Sequence, residues 1–169
     1  MAKKKTSKNK KTNEMGRYYH KKTEVDGIKF DSQTEAEYYE YLKEQLNKKK
    51  IKKFEMQQEF VLQNKFLLID GKRIDEGHKD FKKLQRANPG CTIKAIKYVA
   101  DFVVYHSDGR VQVIDVKGQK TADFKLKEKM FNYMYPQNNK LFCVVKYKGE
   151  WLEYNEANKL KSANKKSKK

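Results

Sequence analysis

The block 94–116 constrains the fold more than any other part of the chain. KAIKYVADFVVYH is dense in branched and aromatic side chains, Ser107-Asp108-Gly109 follows as a turn, and RVQVIDV then alternates apolar with polar residues. Two such runs across an Asp-Gly turn specify a β-hairpin, because these turn residues accept the positive φ angles that hairpins need. Residues 141–147 (LFCVVKY) are nearly all apolar, as expected of a strand covered on both faces. Between them Phe124, Leu126, Met130, Phe131 and Met134 predict a helix over 122–135, stopped by Pro136. Upstream, Ser32 and Glu35 have capping-box spacing. With Ala36, Tyr39, Leu42 and Leu46 they predict a helix over 33–49, whose lysine-rich end suits the helix dipole. Residues 17–30 read as a short extended segment or hairpin turning at Asp26-Gly27, and 60–69 as one or two strands closed by Asp70-Gly71. Residues 71–93 read as an insertion or loop with a short helix near 79–86, and 150–158 as a last short element. The order predicts one α/β domain with a mixed sheet.

Charge sets the boundaries and the partner. Residues 1–12 hold six lysines and no acid, and residues 159–169 hold six more and no acid; without them the formal +18 falls to about +6. Residues 1–16 and 159–169 are therefore expected to be solvated basic tails around a folded domain at 17–158. Such tails favour nucleic acid, and they lack the apolar or aromatic anchor that a membrane surface requires. The two cysteines, Cys91 and Cys143, suggest neither a disulfide framework nor a metal knuckle, and no apolar run approaches the ~20 residues of a membrane span. A cytoplasmic setting is expected.

The chemistry points to the hairpin. Asp101 lies within its first strand and Asp115 near the end of its second, where Asp115 and Lys117 project to one face. Two carboxylates are hard ligands for Mg²⁺ (or Mn²⁺), which keeps several waters and accepts a substrate phosphate. A lysine beside them can orient or deprotonate the attacking water and neutralise charge in the transition state. For a flush hairpin we expect Asp115 opposite Tyr105 or His106, with Asp101 about four residues further, a gap of roughly 13 Å that a bulge or strong twist must close. Asp115 has a plainer reading as a strand end paired to Lys117, and Glu35 as the cap partner of Ser32. Lys125, Lys127 and Lys129 on the second helix are candidate phosphate contacts and equally ordinary surface lysines. His20, His78 and His106 share no ligand spacing. Tyr18, Tyr19, Tyr38, Tyr39, Tyr133 and Tyr135 are candidates for base stacking, with Tyr38, Tyr39 and Tyr133 better read as core or interface.

Tyr98-Val-Ala-Asp101-Phe followed by Asp115-Val-Lys117-Gly resembles the D-x(n)-(D/E)-x-K signature of the restriction-endonuclease-like PD-(D/E)xK nuclease superfamily. Three further features resemble a phage-encoded group within it that is similar to Holliday-junction resolvases. They are Phe30-x-Ser32-x-x-Glu35-Ala, the strand entry containing Gln57, and Thr121-x-x-Phe124-x-x-Lys127. The resemblance covers about residues 28–147. It implies an αβββαβ core, metal binding by Asp101 and Asp115 with Glu35 completing or supporting the site, and Lys117 as catalytic lysine. It also implies a homodimeric, structure-selective endonuclease for branched DNA, acting in phage recombination or replication in a bacterial or phage-infected cell. Ala100 stands where the superfamily's short name has proline, and Asp115 where many members have glutamate. Only four arginines occur, few for sequence-specific guanine readout. Two readings compete with the nuclease: a non-catalytic basic nucleic-acid-binding module on a degenerate nuclease fold, and a packaging protein anchored by its tails.

Overall fold

The structure, a computed structural model, describes residues 22–138 and 140–166. The expected N-terminal tail, together with Arg17, Tyr18, Tyr19 and His20, lies outside the described residues. A hairpin of β1 (Thr23–Val25) and β2 (Ile28–Phe30) opens the fold. Its turn is Asp26-Gly27, both at positive φ (53° and 75°), the geometry that matches strand twist. Helix α1 (Gln33–Asn47) starts at Ser32, whose Oγ accepts the Glu35 N–H at 3.2 Å. The chain then runs through β3 (Ile51–Gln63), β4 (Phe66–Ile69), β5 (Lys72–Asp75), α2 (Phe81–Ala87) and β6 (Thr92–Ile93). The remaining elements are β7 (Ile96–His106), β8 (Val111–Val116), α3 (Ala122–Met134), β9 (Phe142–Tyr147), β10 (Glu150–Glu153) and α4 (Tyr154–Lys166).

The central sheet has five strands in the order β10-β9-β8-β7-β3, antiparallel except for the β8–β9 pair. Helix α3 makes the crossover that a parallel pair requires. Alternate residues of β8 divide the core: Ile114 and Val116 pack with Ala36, Tyr38, Tyr39 and Leu42 of α1, while Val113 packs with Phe124 and Phe131 of α3. Period-2 alternation therefore places the two helices on opposite faces. The fold is α/β with a mixed sheet, as expected, and no helix among the described residues is long and apolar enough to cross a membrane.

Four expectations change. Residues 71–93 are an inserted unit with the expected short helix, now α2, but not an open loop: β4, β5 and β6 form their own three-stranded sheet beside it. The start of β3 at Ile51, within Lys49-Lys50-Ile51-Lys52-Lys53, is masked in the sequence by its charges. An edge strand exposes one side to water and tolerates lysine there. The basic tail expected from residue 159 is helical through Lys166, because Ala157 is fully buried and anchors α4 against β9 and β10. Finally, α3 keeps only part of its apolar stripe inside: Leu126 is 59% and Tyr133 84% exposed, so Tyr133 is not a core residue.

Candidate active site

Hairpin register decides whether the two acids can meet. Paired residues across β7 and β8 are Phe102–Ile114, Val103–Val113, Val104–Gln112 and Tyr105–Val111. The loop closes with the His106 N–H donating to the Arg110 carbonyl at 2.8 Å, the Gly109 N–H donating to His106, and Gly109 at φ 88°. This is a three-residue loop with a left-handed glycine. One step past Phe102–Ile114 the same register brings Asp101 abreast of Asp115. The expected four-residue offset and its gap do not exist, and no bulge is needed between the acids.

Gln57 of β3 extends this row, since Met56 and Gln58 pair with Phe102 and Ala100. It holds φ 54° in mid-strand, a conformation uncommon for non-glycine residues and frequent at functional sites. The alternation of both strands breaks at this row. Phe54, Met56, Phe102 and Val104 pack with the α1 core, whereas Phe60, Leu62, Tyr98 and Ala100, also even-numbered, pack with the α3 core. The strands turn over together at Asp101, whose Oδ2 reaches across to accept the Val116 N–H at 2.7 Å.

Asp115 is 2% exposed. Its Oδ1 accepts the Tyr98 hydroxyl at 2.7 Å. The Lys117 ammonium lies 3.0 Å from Oδ2 as an ion pair, but Oδ2 has no aligned hydrogen-bond donor. Burial, then the Asp115 charge, pushes the Asp101 carboxyl up to about 7, with Lys117 and the Val116 N–H opposing. Burial pulls Lys117 down, yet the Asp115 and Asp101 charges outweigh it, so its ammonium is held more firmly than in water. In the protein alone Lys117 is a cation rather than a base. Tyr98 is pushed far up by burial and by Asp115 and remains a donor. Cys143 pairs with Asp115 across the parallel ladder; burial pushes its thiol up to about 12, which leaves it unreactive.

Glu35 approaches from the first turn of α1. Ser32 caps the helix through the Glu35 N–H, and its hydroxyl donates to Glu35 Oε1 at 2.9 Å, so the two side chains meet directly rather than closing the capping box through the Ser32 N–H. It is near enough to Lys117 and Asp101 to act on both electrostatically, and burial raises its own pKa. Among the described residues no three His, Cys, Asp or Glu side chains are gathered into a metal-holding group, and Glu35 is engaged by Ser32. Asp101 and Asp115 supply two carboxylates, Asp115 with a buried oxygen lacking a hydrogen bond and Asp101 held near 7 by burial and its neighbour's charge. That donor set fits a divalent cation of the Mg²⁺ type, which takes one or two protein carboxylates and fills its shell with water and phosphate.

Other candidates fall elsewhere. Lys127 pairs with Asp123 at 3.1 Å on α3, while Lys125 and Lys129 are exposed on that helix. His106 bonds Gln112 at 2.7 Å across the hairpin, and His78 Nδ1 accepts the Asp80 N–H at 3.2 Å. Sequence reasoning missed Tyr98 as the partner of Asp115 and the nearly buried pair Lys120–Glu128 at 2.7 Å, which sits over Phe124. Correct hairpin register would have shown Tyr98 close to the Asp115 row; nothing in the sequence marks Lys120 against its neighbouring lysines. We expect Tyr98→Phe to destabilise the protein by about 1–3 kcal/mol, because Asp115 Oδ1 loses its donor in a site closed to water. Urea unfolding in EDTA measures this, and an unchanged midpoint would show that the hydrogen bond contributes nothing.

The family model described as "Protein of unknown function (DUF1064)" matches residues 15–150. No curated protein and no solved structure matches the chain.

Proposed function

The chain belongs to the DUF1064 family, whose function is unknown, and we propose that it is a divalent-metal-dependent endonuclease that hydrolyses phosphodiester bonds in DNA. The observation that carries this reading is that Asp101 and Asp115 lie one step beyond the Phe102–Ile114 pair, with Asp101 accepting the Val116 N–H and the Lys117 ammonium against Asp115. The order α1-β3-β7-β8-α3-β9 agrees with the αβββαβ core of restriction-endonuclease-like nucleases, which supports the same reading. Basic composition and scarce arginine favour recognition of backbone and shape, hence branched DNA, over base readout. A two-fold homodimer suits paired cuts on two strands.

Asp101 and Asp115 would hold Mg²⁺ or Mn²⁺, which when bound supplies positive charge to the phosphoryl oxygens and acidity to water. The protein's own parts are prearranged. Tyr98 and the Val116 N–H fix one oxygen of each carboxylate, so their remaining oxygens need no reorganisation. Lys117 stands ready as a fixed cation for the charge that develops on the phosphate. Glu35, tied to Ser32, adds negative charge that keeps Lys117 protonated.

Cleavage of a labelled four-way junction and a matched linear duplex tests this, with Mg²⁺, with Mn²⁺, with EDTA, and with Asp115→Ala. The expected result is metal-dependent cutting, stronger on the junction, that vanishes in the variant. If wild type and variant bind DNA equally and neither cuts under any condition, the protein is a non-catalytic binding module.

A further inference from the structure

Residues 64–95 leave the central sheet beside Gln63 and return at Ile96, and these two residues are partners in the β3–β7 ladder. The segment folds into a body of its own. Leu67 and Phe81 are buried there, outside both main core clusters. Gln85 donates to Thr92 Oγ1 at 3.3 Å, which ties α2 to β6, and the Asn88 amide donates to the Leu84 carbonyl at 3.0 Å. With Phe81 inward, α2 exposes Lys82, Lys83 and Arg86.

From Lys65 to Lys97 the chain has nine cations against four acids. Two of those acids are already engaged, Asp75 by Arg73 at 2.6 Å and Glu76 by Lys65 at 2.8 Å. Lys82, Lys83 and Arg86 have no ion-pair partner among the described residues. The arrangement works against stability, since α2 has only seven residues and Lys82 and Arg86 repel at i,i+4. A cationic face backed by the buried Phe81, whose three cations form no ion pair among the described residues, matches a polyanion.

We propose that this body is a second DNA-contact unit, in which Lys82, Lys83 and Arg86 of α2 hold duplex phosphates at a distance from the cleavage site. The inference rests on the nuclease reading for its choice of DNA. From Asp101 to Ile96 the strand covers roughly 17 Å at its usual rise, about half of the ~34 Å helical repeat of B-DNA. The point where this unit joins the sheet therefore lies about half a turn from Asp101, which sets its lysines apart from the phosphate at Asp101 and Asp115. Duplex fits better than single strand, because Phe81 is buried and Phe66 is covered by Arg73 at 4.9 Å, leaving neither ring free to stack on bases.

The test is a salt titration of the full chain binding a labelled linear DNA duplex in EDTA, set beside an RNA duplex of the same sequence. The triple variant Lys82→Ala/Lys83→Ala/Arg86→Ala should bind DNA roughly 10–100-fold more weakly at low salt, with a salt slope reduced by about 3. Its Mg²⁺-induced rise in melting temperature should equal that of wild type, because Asp101 and Asp115 are untouched. A control removing three exposed lysines elsewhere, Lys29→Ala/Lys50→Ala/Lys52→Ala, should lose much less. DNA binding with an unchanged slope in the triple variant, or an equal loss in the control, overturns the assignment while leaving the nuclease reading intact. Preference for the RNA duplex overturns the choice of DNA. A wild-type chain that binds no nucleic acid removes both readings together.

Discussion

Asp101→Asn raises the melting temperature of the metal-free protein at pH 8 while reducing metal-dependent cleavage by at least about 10³-fold, the scale set by removing a metal ligand and its transition-state charge. The two effects run in opposite directions for one physical reason. Asp101 ionises at about 7 in the folded chain because burial and Asp115 disfavour its charge, against about 3.9 in an unfolded chain. Between these values the folded state binds the extra proton, so this contribution to stability is full below about pH 4 and is lost as pH rises to about 7. Asparagine removes the charge and keeps an oxygen to accept the Val116 N–H. Discounted for the metal-free site's own relaxation, the gain at pH 8 is about 2 kcal/mol, or roughly 4–8 °C for a chain of this size. It should shrink at pH 5 and be absent below pH 4. Adding Mg²⁺ should raise the melting temperature of wild type and not of the variant. Melting curves at the three pH values decide the matter, and a variant no more stable than wild type at pH 8 would mean that burial and Asp115 do not disfavour the Asp101 charge.

Lys117→Met should produce the complementary pattern. Single-turnover cleavage at saturating metal and DNA should fall about 10²–10³-fold, the range for losing one preorganised charge at a reacting group. The metal-free protein should lose about 1–2 kcal/mol, because Asp115 is left buried without a cation; the full penalty for breaking a buried pair is reduced by the partial exposure of the lysine. Mg²⁺ should nevertheless bind more tightly, since a competing positive charge has gone. A rate within about threefold of wild type would remove Lys117 from the chemistry, as single-donor losses of that size fall far below the catalytic range.

Much of this site was legible in the sequence because its parts lie in strong local signals. The Asp-Gly turn, the alternation of 110–116 and the Ser32–Glu35 spacing each follow from short-range rules, and all three are present as β8, its hairpin and the capped α1. The error in placing Asp115 was one of counting: a flush turn at Asp108-Gly109 already sets Asp115 opposite Phe102, and the three-residue loop, which pairs His106 with Arg110, moves it one residue further to Asp101. What stayed hidden depends on long-range contact. The lysine-rich start of β3 is a strand only because β7 pairs with it, and α4 is a helix only because Ala157 finds β9 and β10. Glu35 shows a different limit. The capping role and the electrostatic role use the same carboxylate, so its spacing to Ser32 alone could not exclude either.

Gln63 and Ile96 face each other across one ladder rung, so the chain departs and returns at points about 5 Å apart. A short turn is enough to close that gap, and everything between these residues is a graft on a complete sheet. Lengthening, trimming or exchanging the graft leaves Asp101, Asp115 and Lys117 in register. In evolutionary terms the proposed cutting chemistry and the proposed DNA contacts would sit on separate stretches of coding sequence, free to change at different rates. Under the proposed function, descendants of such a chain would change target by recombination at one junction, where Gln63 and Ile96 pair.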